Sequence, residues 1–158
     1  MCDYSLMAVP NRLAQQGEEL VMHRFPTASM GLASPEDVRR STEPRPAVRQ
    51  TIWQRIHALV DPPAAPEVCA VCIPPGARLL VRDIPARLQQ LWSLRGEEEC
   101  VFTQISANAH AYRDAVRFPG GREVRLQELP EGLSIRVLDL SGAPEPTLDT
   151  LEAQRALG

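Results

Sequence analysis

Lysine is missing from this chain of 158 residues, and all 17 of its basic residues are arginine. No lysine is therefore present to form a Schiff base, to bind phosphate in a P-loop or to act as a general base. Aromatic residues are also scarce, at 4% of the sequence. We therefore expect a core of leucine, valine, isoleucine and alanine.

Long apolar runs are lacking as well. The longest, such as residues 68–73, fall far short of the roughly 20 residues that a membrane-spanning helix needs. The N-terminus lacks the basic-then-apolar order of a secretory signal. Four cysteines are too sparse for a disulfide framework. We therefore expect a soluble cytoplasmic protein with reduced thiols.

The net charge of −3 and the pI of about 5.6 weigh against a dedicated nucleic-acid-binding protein, which usually carries a basic surplus. Hydrophobic residues are 44% and charged residues 23% of the sequence, close to the averages for globular proteins. Length and composition together predict one domain over residues 1–140 and a polar C-terminal tail over 141–158.

Short alternating segments dominate the predicted secondary structure. Residues 19–25 are β-prone, with Leu20 and Met22 on one face and Val21 and His23 on the other. Turn signals predict two hairpins. One joins 68–73 to 78–84 through Pro74-Pro75-Gly76, and the other joins 112–118 to 122–129 through Pro119-Gly120-Gly121. With strands at 100–105 and 133–137, the last third reads as a meander.

One short helix is predicted between these strands. Leu88, Leu91 and Trp92 form a helical stripe, Asp83 and Pro85 suit its start, and Gly96 suits its end. Glu97-Glu98-Glu99 reads as a solvated loop. The predicted fold class is mainly β, that is β-rich α+β, with a small barrel-like or sandwich body, one short packed helix and a protruding helical insertion.

The predicted insertion covers residues 34–66 and is flanked by prolines. Residues 47–60 have apolar positions at helical spacing. The arginines around them make residues 39–60 resemble a basic amphipathic helix, with Arg49, Trp53 and Arg55 as candidate contact residues. Such a helix docks on a protein partner, packs on its own domain, or makes peripheral contact with an anionic membrane. We expect a protein partner.

Cys69 and Cys72 form a CxxC pair, the spacing found in zinc sites and in redox-active dithiols. Here the pair lies in a β-prone run, and residues three apart on a strand point to opposite faces. We therefore expect both cysteines to fill the core. A metal site and a redox site are the alternatives.

Cys2 is the other candidate nucleophile. Removal of Met1 would leave a thiol beside an α-amine that can act as its base, as at the start of class II amidotransferases. Those enzymes have glycine after the cysteine, whereas this chain has Asp3. His23 is a candidate base for Cys2. With Cys69 and Cys72, Cys2 and His23 form a candidate ligand set for zinc, iron or copper, although our main expectation is no cofactor.

Several short motifs carry a resemblance. Residues 1–6 (MCDYSL), 11–14 (NRLA), 69–74 (CAVCIP) and 112–116 (YRDAV) resemble a group of small bacterial proteins that have no assigned activity. The resemblance implies a free-standing bacterial protein and supplies no reaction. The sequence as a whole therefore predicts a non-enzymatic binding or protein-interaction module. The alternative is a thiol-based enzyme or metal site that uses Cys2 with His23.

Overall fold

The computed structural model describes residues 6, 8–43, 67–106 and 112–142, and these contain nine strands in one sheet that curls into a half-barrel. The strands are β1 (Asn11–Leu13), β2 (Glu19–Arg24), β3 (Met30–Ala33), β4 (Ala70–Cys72), β5 (Arg78–Arg82), β6 (Glu98–Gln104), β7 (Asp114–Arg117), β8 (Glu123–Arg125) and β9 (Ser134–Asp139). The predicted β-rich, barrel-like body is confirmed.

The spatial order of the strands is β1-β4-β3-β2-β9-β5-β6-β7-β8. Strands β1 and β4 are parallel, and every other neighbouring pair is antiparallel. The last strand, β9, lies between β2 and β5. It therefore joins the strands from the start of the chain to those from its middle.

The described ranges contain two short α-helices beside the sheet: α1 (Pro35–Thr42) and α2 (Ala86–Trp92). A 3-10 turn, Leu126–Glu128, follows β8. Helix α1 overlaps the start of the basic helix predicted over residues 39–60, but its bounds differ. It begins at Pro35 and ends at Thr42, because Glu43 has an extended ψ of 128°. Pro35 and the acidic Glu36 and Asp37 in its first turn are nevertheless typical of a helix start.

One face of the sheet carries the main core, which we define as the larger cluster of buried residues. Leu20, Leu79, Phe102, Val116 and Ile135 are among its fully buried members. The alternation within β2 holds as predicted, since Leu20 and Met22 both enter this core. Leu88 and Trp92 of α2 pack against it, so α2 is the predicted short packed helix.

The predicted hairpin between 68–73 and 78–84 is wrong. Strand β4 pairs with β1 and β3, whereas β5 pairs with β6 and β9. The turn between them is hydrogen-bonded to β6, since the Gly76 N–H donates to the Phe102 carbonyl at 2.8 Å. Local turn chemistry marked the turn but did not determine which strands pair.

The hairpin through Pro119-Gly120-Gly121 is confirmed, since β7 and β8 pair around it. The expected continuation of the meander into the final strand is wrong, because β9 inserts between β2 and β5. Pairing with β2 and β5 places Ile135 and Val137 in the main core.

Two boundaries near α2 also differ from the prediction. Pro85, not Asp83, is at the N-cap position, and the helix ends at Ser93, whose φ of 56° is left-handed, before Gly96 is reached.

The expected solvated loop at 97–99 is partly strand. Glu98 begins β6 and is buried, where it accepts hydrogen bonds from Arg95.

Candidate functional site

The opposite side of the sheet carries a smaller apolar cluster, which we call the second-face cluster. Its buried members are Leu6, Phe25, Ala33 and Ala70, and Val9, Val38 and Val68 pack against them. These residues come from the chain start, from β2–β4 and from α1. The cluster therefore collects segments that the sequence analysis treated separately.

His23 lies at the edge of this cluster, on the face of β2 opposite Leu20 and Met22. Its ring meets the Phe25 ring edge-to-face, with centroids 5.1 Å apart. Its Nδ1 lies 3.4 Å from Oε1 of Glu131, and the His23 side chain is only 18% exposed. The same carboxylate oxygen accepts the backbone N–H of Arg24 at 3.1 Å, which holds it beside the imidazole.

His23 and Cys72 lie on the two strands that flank β3. His23 is opposite Gly31 in the β2–β3 pair, and β4 pairs with β3 through Ala70 and Ala33.

Gly31, on the strand between them, allows close packing. A Cβ at this position would lie 2.7 Å from Cδ1 of Leu6 and 3.1 Å from Cε2 of Phe25. Both distances are too short for ordinary contacts, so a glycine is needed for these side chains to pack on the backbone. An apolar layer from Leu6 and Phe25 therefore covers the backbone of β3 at Gly31.

The three described cysteines are in different states. Cys72 is buried and disulfide-bonded, so the expectation that every thiol is reduced is wrong. Cys69 is free and half-buried, and its Sγ lies 3.7 Å from the carbonyl oxygen of Ala70. The CxxC residues are therefore not bonded to each other. A disulfide depends on a partner brought close by tertiary structure, which cysteine density cannot reveal.

Cys100 is the third described cysteine, and it lies in the main core. Burial raises the pKa of its thiol to about 12, with smaller contributions from the carboxylates of Glu98 and Glu99. Since the thiolate is the reactive form, Cys100 is a core-filling residue with little nucleophilic character at neutral pH.

No group of three His, Cys, Asp or Glu side chains suited to a metal ion occurs within the described ranges. Of the predicted ligand set, the structure describes His23, Cys69 and Cys72. Cys2, the predicted nucleophile, lies outside the described residues. So do the candidate contact residues Arg49, Trp53 and Arg55, and the helix predicted over 47–60.

The two ends of the predicted insertion meet at the second-face cluster. Ala33 at the end of β3 pairs with Ala70 at the start of β4. Helix α1 follows Ala33 directly, and its Val38 packs against the cluster. The segment 34–69 therefore connects two neighbouring strands at a single point of the sheet.

Sequence reasoning missed Gly31, Glu131 and Leu6 as parts of this site. A signal for Gly31 was present, since a glycine inside an apolar strand often marks the close approach of another segment. Glu131 belongs to a turn more than 100 residues after His23, and nothing local indicates their contact.

Within the described part of the chain, no helix is both long and apolar enough to cross a membrane. No protein family, curated protein or solved structure matches the chain.

Proposed function

We propose that this protein is a non-enzymatic binding module that captures a protein partner through its insertion, residues 34–66. The observation that supports this proposal is the pairing of Ala33 with Ala70, which brings both ends of the insertion to one point of the sheet. The main core is built from strands on either side of that point. An insertion attached in this way can diversify for binding while the body keeps its fold.

Charge supports a role for the later part of the insertion. The exposed Arg39 and Arg40 of α1 already have acidic neighbours, since Arg39 lies 3.6 Å from Glu43 and Arg40 lies 2.5 Å from Glu36. We therefore assign the contact with a partner to the arginines further along the insertion, Arg49 and Arg55. Trp53 between them is the residue type that most often anchors a protein interface.

The test is a charge-reversal variant with a matched control. Arg49→Glu/Trp53→Ala/Arg55→Glu should lower the recovery of a cross-linked partner by about tenfold or more, measured by quantitative mass spectrometry. The control Arg122→Glu/Arg125→Glu changes the same charge at exposed positions around β8 and should leave recovery unchanged. Equal recovery with both variants would refute the docking role of the insertion.

The same variants separate the other targets of a basic helix. If the wild type binds anionic lipid vesicles and the triple variant does not, the target of the basic helix is a membrane surface and not a protein partner. Nucleic-acid binding would have to weaken steeply with salt, and the acidic net charge weighs against it.

Thiol or metal chemistry with Cys2 and His23 is the second candidate. One observation favours it: the His23 imidazole is held by the Glu131 carboxylate. The disulfide of Cys72 weighs against a metal site, because it removes that sulfur from the predicted ligand set. A carboxylate contact at one ring nitrogen orients a catalytic or metal-binding imidazole. Intact mass spectrometry that finds Met1 retained would exclude an N-terminal cysteine nucleophile. Elemental analysis for zinc, iron and copper tests the metal alternative.

A cytoplasmic location is part of this proposal. In that compartment disulfides are usually transient or redox-sensing. The disulfide of Cys72 would then be one that cellular thiols can reduce.

A further inference from the structure

Strand β8 is the last strand at one edge of the sheet, and within the described ranges no further strand pairs with it. In the β7–β8 hairpin the Phe118 N–H donates to the Arg122 carbonyl at 2.8 Å, and this bond fixes the alternation of the antiparallel ladder. Val124 therefore bonds to β7, whereas the backbone N–H groups of Glu123 and Arg125 point away from it.

The opposite edge, β1, differs because its own side chains cover part of its backbone. A guanidinium N–H of Arg12 donates to the carbonyl oxygen of Leu13 at 3.2 Å. At β8 the side-chain hydrogen bond points inward instead, from Arg117 of β7 to the Glu123 carboxylate at 2.7 Å. Of the two edges, β8 is therefore the one that leaves its backbone groups to another strand.

The exposed side chains of β8 carry one charge of each sign. Glu123 and Arg125 flank the buried Val124, so they lie on the same face of the sheet. Glu123 pairs with Arg117, whereas Arg125 is opposite the uncharged Ala115 and forms no ion pair with any described residue. A short charged edge usually repels other strands. A strand with the matching charge pattern is the exception.

We propose that β8 pairs antiparallel with β8 of a second copy of this chain, with a two-fold axis at Val124. Glu123 of each copy then lies directly opposite Arg125 of the other, and opposite charges at such positions stabilise a strand pair. The N–H groups that point away from β7 donate across the new ladder. The contact uses the same surface of both copies, so it closes as a dimer.

Other pairings of the same two strands place like charges together. A two-fold axis at Glu123 or at Arg125 sets that residue opposite its own copy, and a parallel pair in register does the same for both residues. Like charges at directly opposed positions destabilise a strand pair. The charge pattern of β8 therefore selects both the direction and the register of the contact.

The strength of the dimer should be modest, because β8 has only three residues and short interfaces are typical of transient complexes. We expect a dissociation constant on the order of 100 µM. Sedimentation velocity of the full chain, from well below this concentration to well above it, should show a monomer that converts into a dimer. A chain that stays monomeric throughout, or that forms open-ended assemblies, would overturn the proposal.

Charge variants test the register. Arg125→Glu and Glu123→Arg each place like charges opposite one another, so each should raise the dissociation constant by about tenfold or more. An equal mixture of the two variants should dimerise again, because every charge then faces its opposite, and this recovery also shows that both variants are folded. Arg87→Glu changes an exposed charge on α2 and is the control that should keep the wild-type dimer. A mixture that stays monomeric would show that charge complementarity does not form the contact.

Hydrogen exchange locates the contact. The amides of Glu123 and Arg125 should exchange rapidly in dilute protein and more slowly as the dimer forms. Protection that is already present in the monomer would mean that a segment of the same chain covers β8, and protection confined to β1 would place the contact at the other edge. Either result would contradict the proposal.

This inference does not depend on the proposed partner-binding role. Arg122→Glu/Arg125→Glu, the control in the partner assay, should lose the dimer and keep full recovery of the partner. A dimer without a partner, or a partner without a dimer, would therefore show which of the two proposals has failed.

Discussion

The two faces of the sheet are built from different residues for different purposes. The main core is filled by large side chains such as Leu79, Phe102 and Ile135, which are at most 1% exposed. The second-face cluster combines the small residues Ala33 and Ala70 with Leu6 and Phe25, whose side chains pack over the bare backbone of Gly31. Large side chains hold strands together, whereas small ones let another segment of the chain approach the backbone closely. We therefore expect global stability to depend on the main core, and the proposed binding role to depend on the second face, where the insertion begins and ends.

Truncation in the main core should produce the largest effect. Phe102→Ala removes a buried ring on β6 and should cost about 3–5 kcal/mol of unfolding free energy, because a cavity remains. Urea denaturation measures this loss. Leu13→Ala, at a position that is 68% exposed, is the control and should change stability by less than about 0.5 kcal/mol. A loss below about 1 kcal/mol for Phe102→Ala would remove the distinction between the faces.

Substitution at Gly31 should have an intermediate effect. Gly31→Ala forces Leu6 and Phe25 away from the backbone and should cost about 1–3 kcal/mol in the same denaturation experiment. Gly96→Ala is the matched control, since the nearest atom to its added Cβ lies 3.6 Å away. The double variant Gly31→Ala/Leu6→Ala should lose less than the sum of its single changes. Strict additivity would show that Leu6 does not pack over Gly31.

The ion pair beside β1 should have the smallest effect. Arg12 donates to Glu18 and holds the pKa of that carboxyl below its usual value of 4.5. A lowered folded-state pKa stabilises the fold above about 4.5, and this contribution disappears as the pH falls through the folded-state value. The pair is partly exposed, so its contribution should be at most about 1 kcal/mol.

The variant Glu18→Gln tests this pair by urea denaturation at several pH values. It should be less stable than the wild type near neutral pH and nearly equal to it in acid. The control variant is Glu123→Gln. It removes the pair of Arg117 with Glu123, which are 2.7 Å apart at the opposite edge of the sheet. A constant difference for Glu18→Gln across all pH values would contradict the electrostatic origin.

Local patterns predicted some of this fold and missed its long-range pairings. The β7–β8 hairpin was predictable because Pro119-Gly120-Gly121 joins two segments that pair with each other. The neighbours of β4 were not, because they come from the start of the chain and from β3, while the adjacent turn suggested β5. The position of β9 between β2 and β5 could not be predicted either, since no local sequence feature determines which distant strands pair.

The candidate site was predictable only in its residue types. The sequence singled out Cys72 and His23 because thiols and imidazoles carry chemistry. Their strands come together because β3 pairs with both β2 and β4, and the contact of His23 with Glu131 joins distant parts of the chain. The disulfide of Cys72 was missed because the number of cysteines predicts only whether a protein belongs to a disulfide-rich class. A single disulfide depends on which segments the tertiary structure brings together.

Hydrogen exchange on the oxidised and the dithiol-reduced protein tests the contrast between the faces most directly. Backbone amides of β1 and β4 should exchange about tenfold faster or more after reduction, because local opening next to the cut bond becomes easier. Amides of β5 and β9, whose side chains fill the main core, should keep their rates. Equal acceleration throughout the sheet, or none in β1 and β4, would contradict the account.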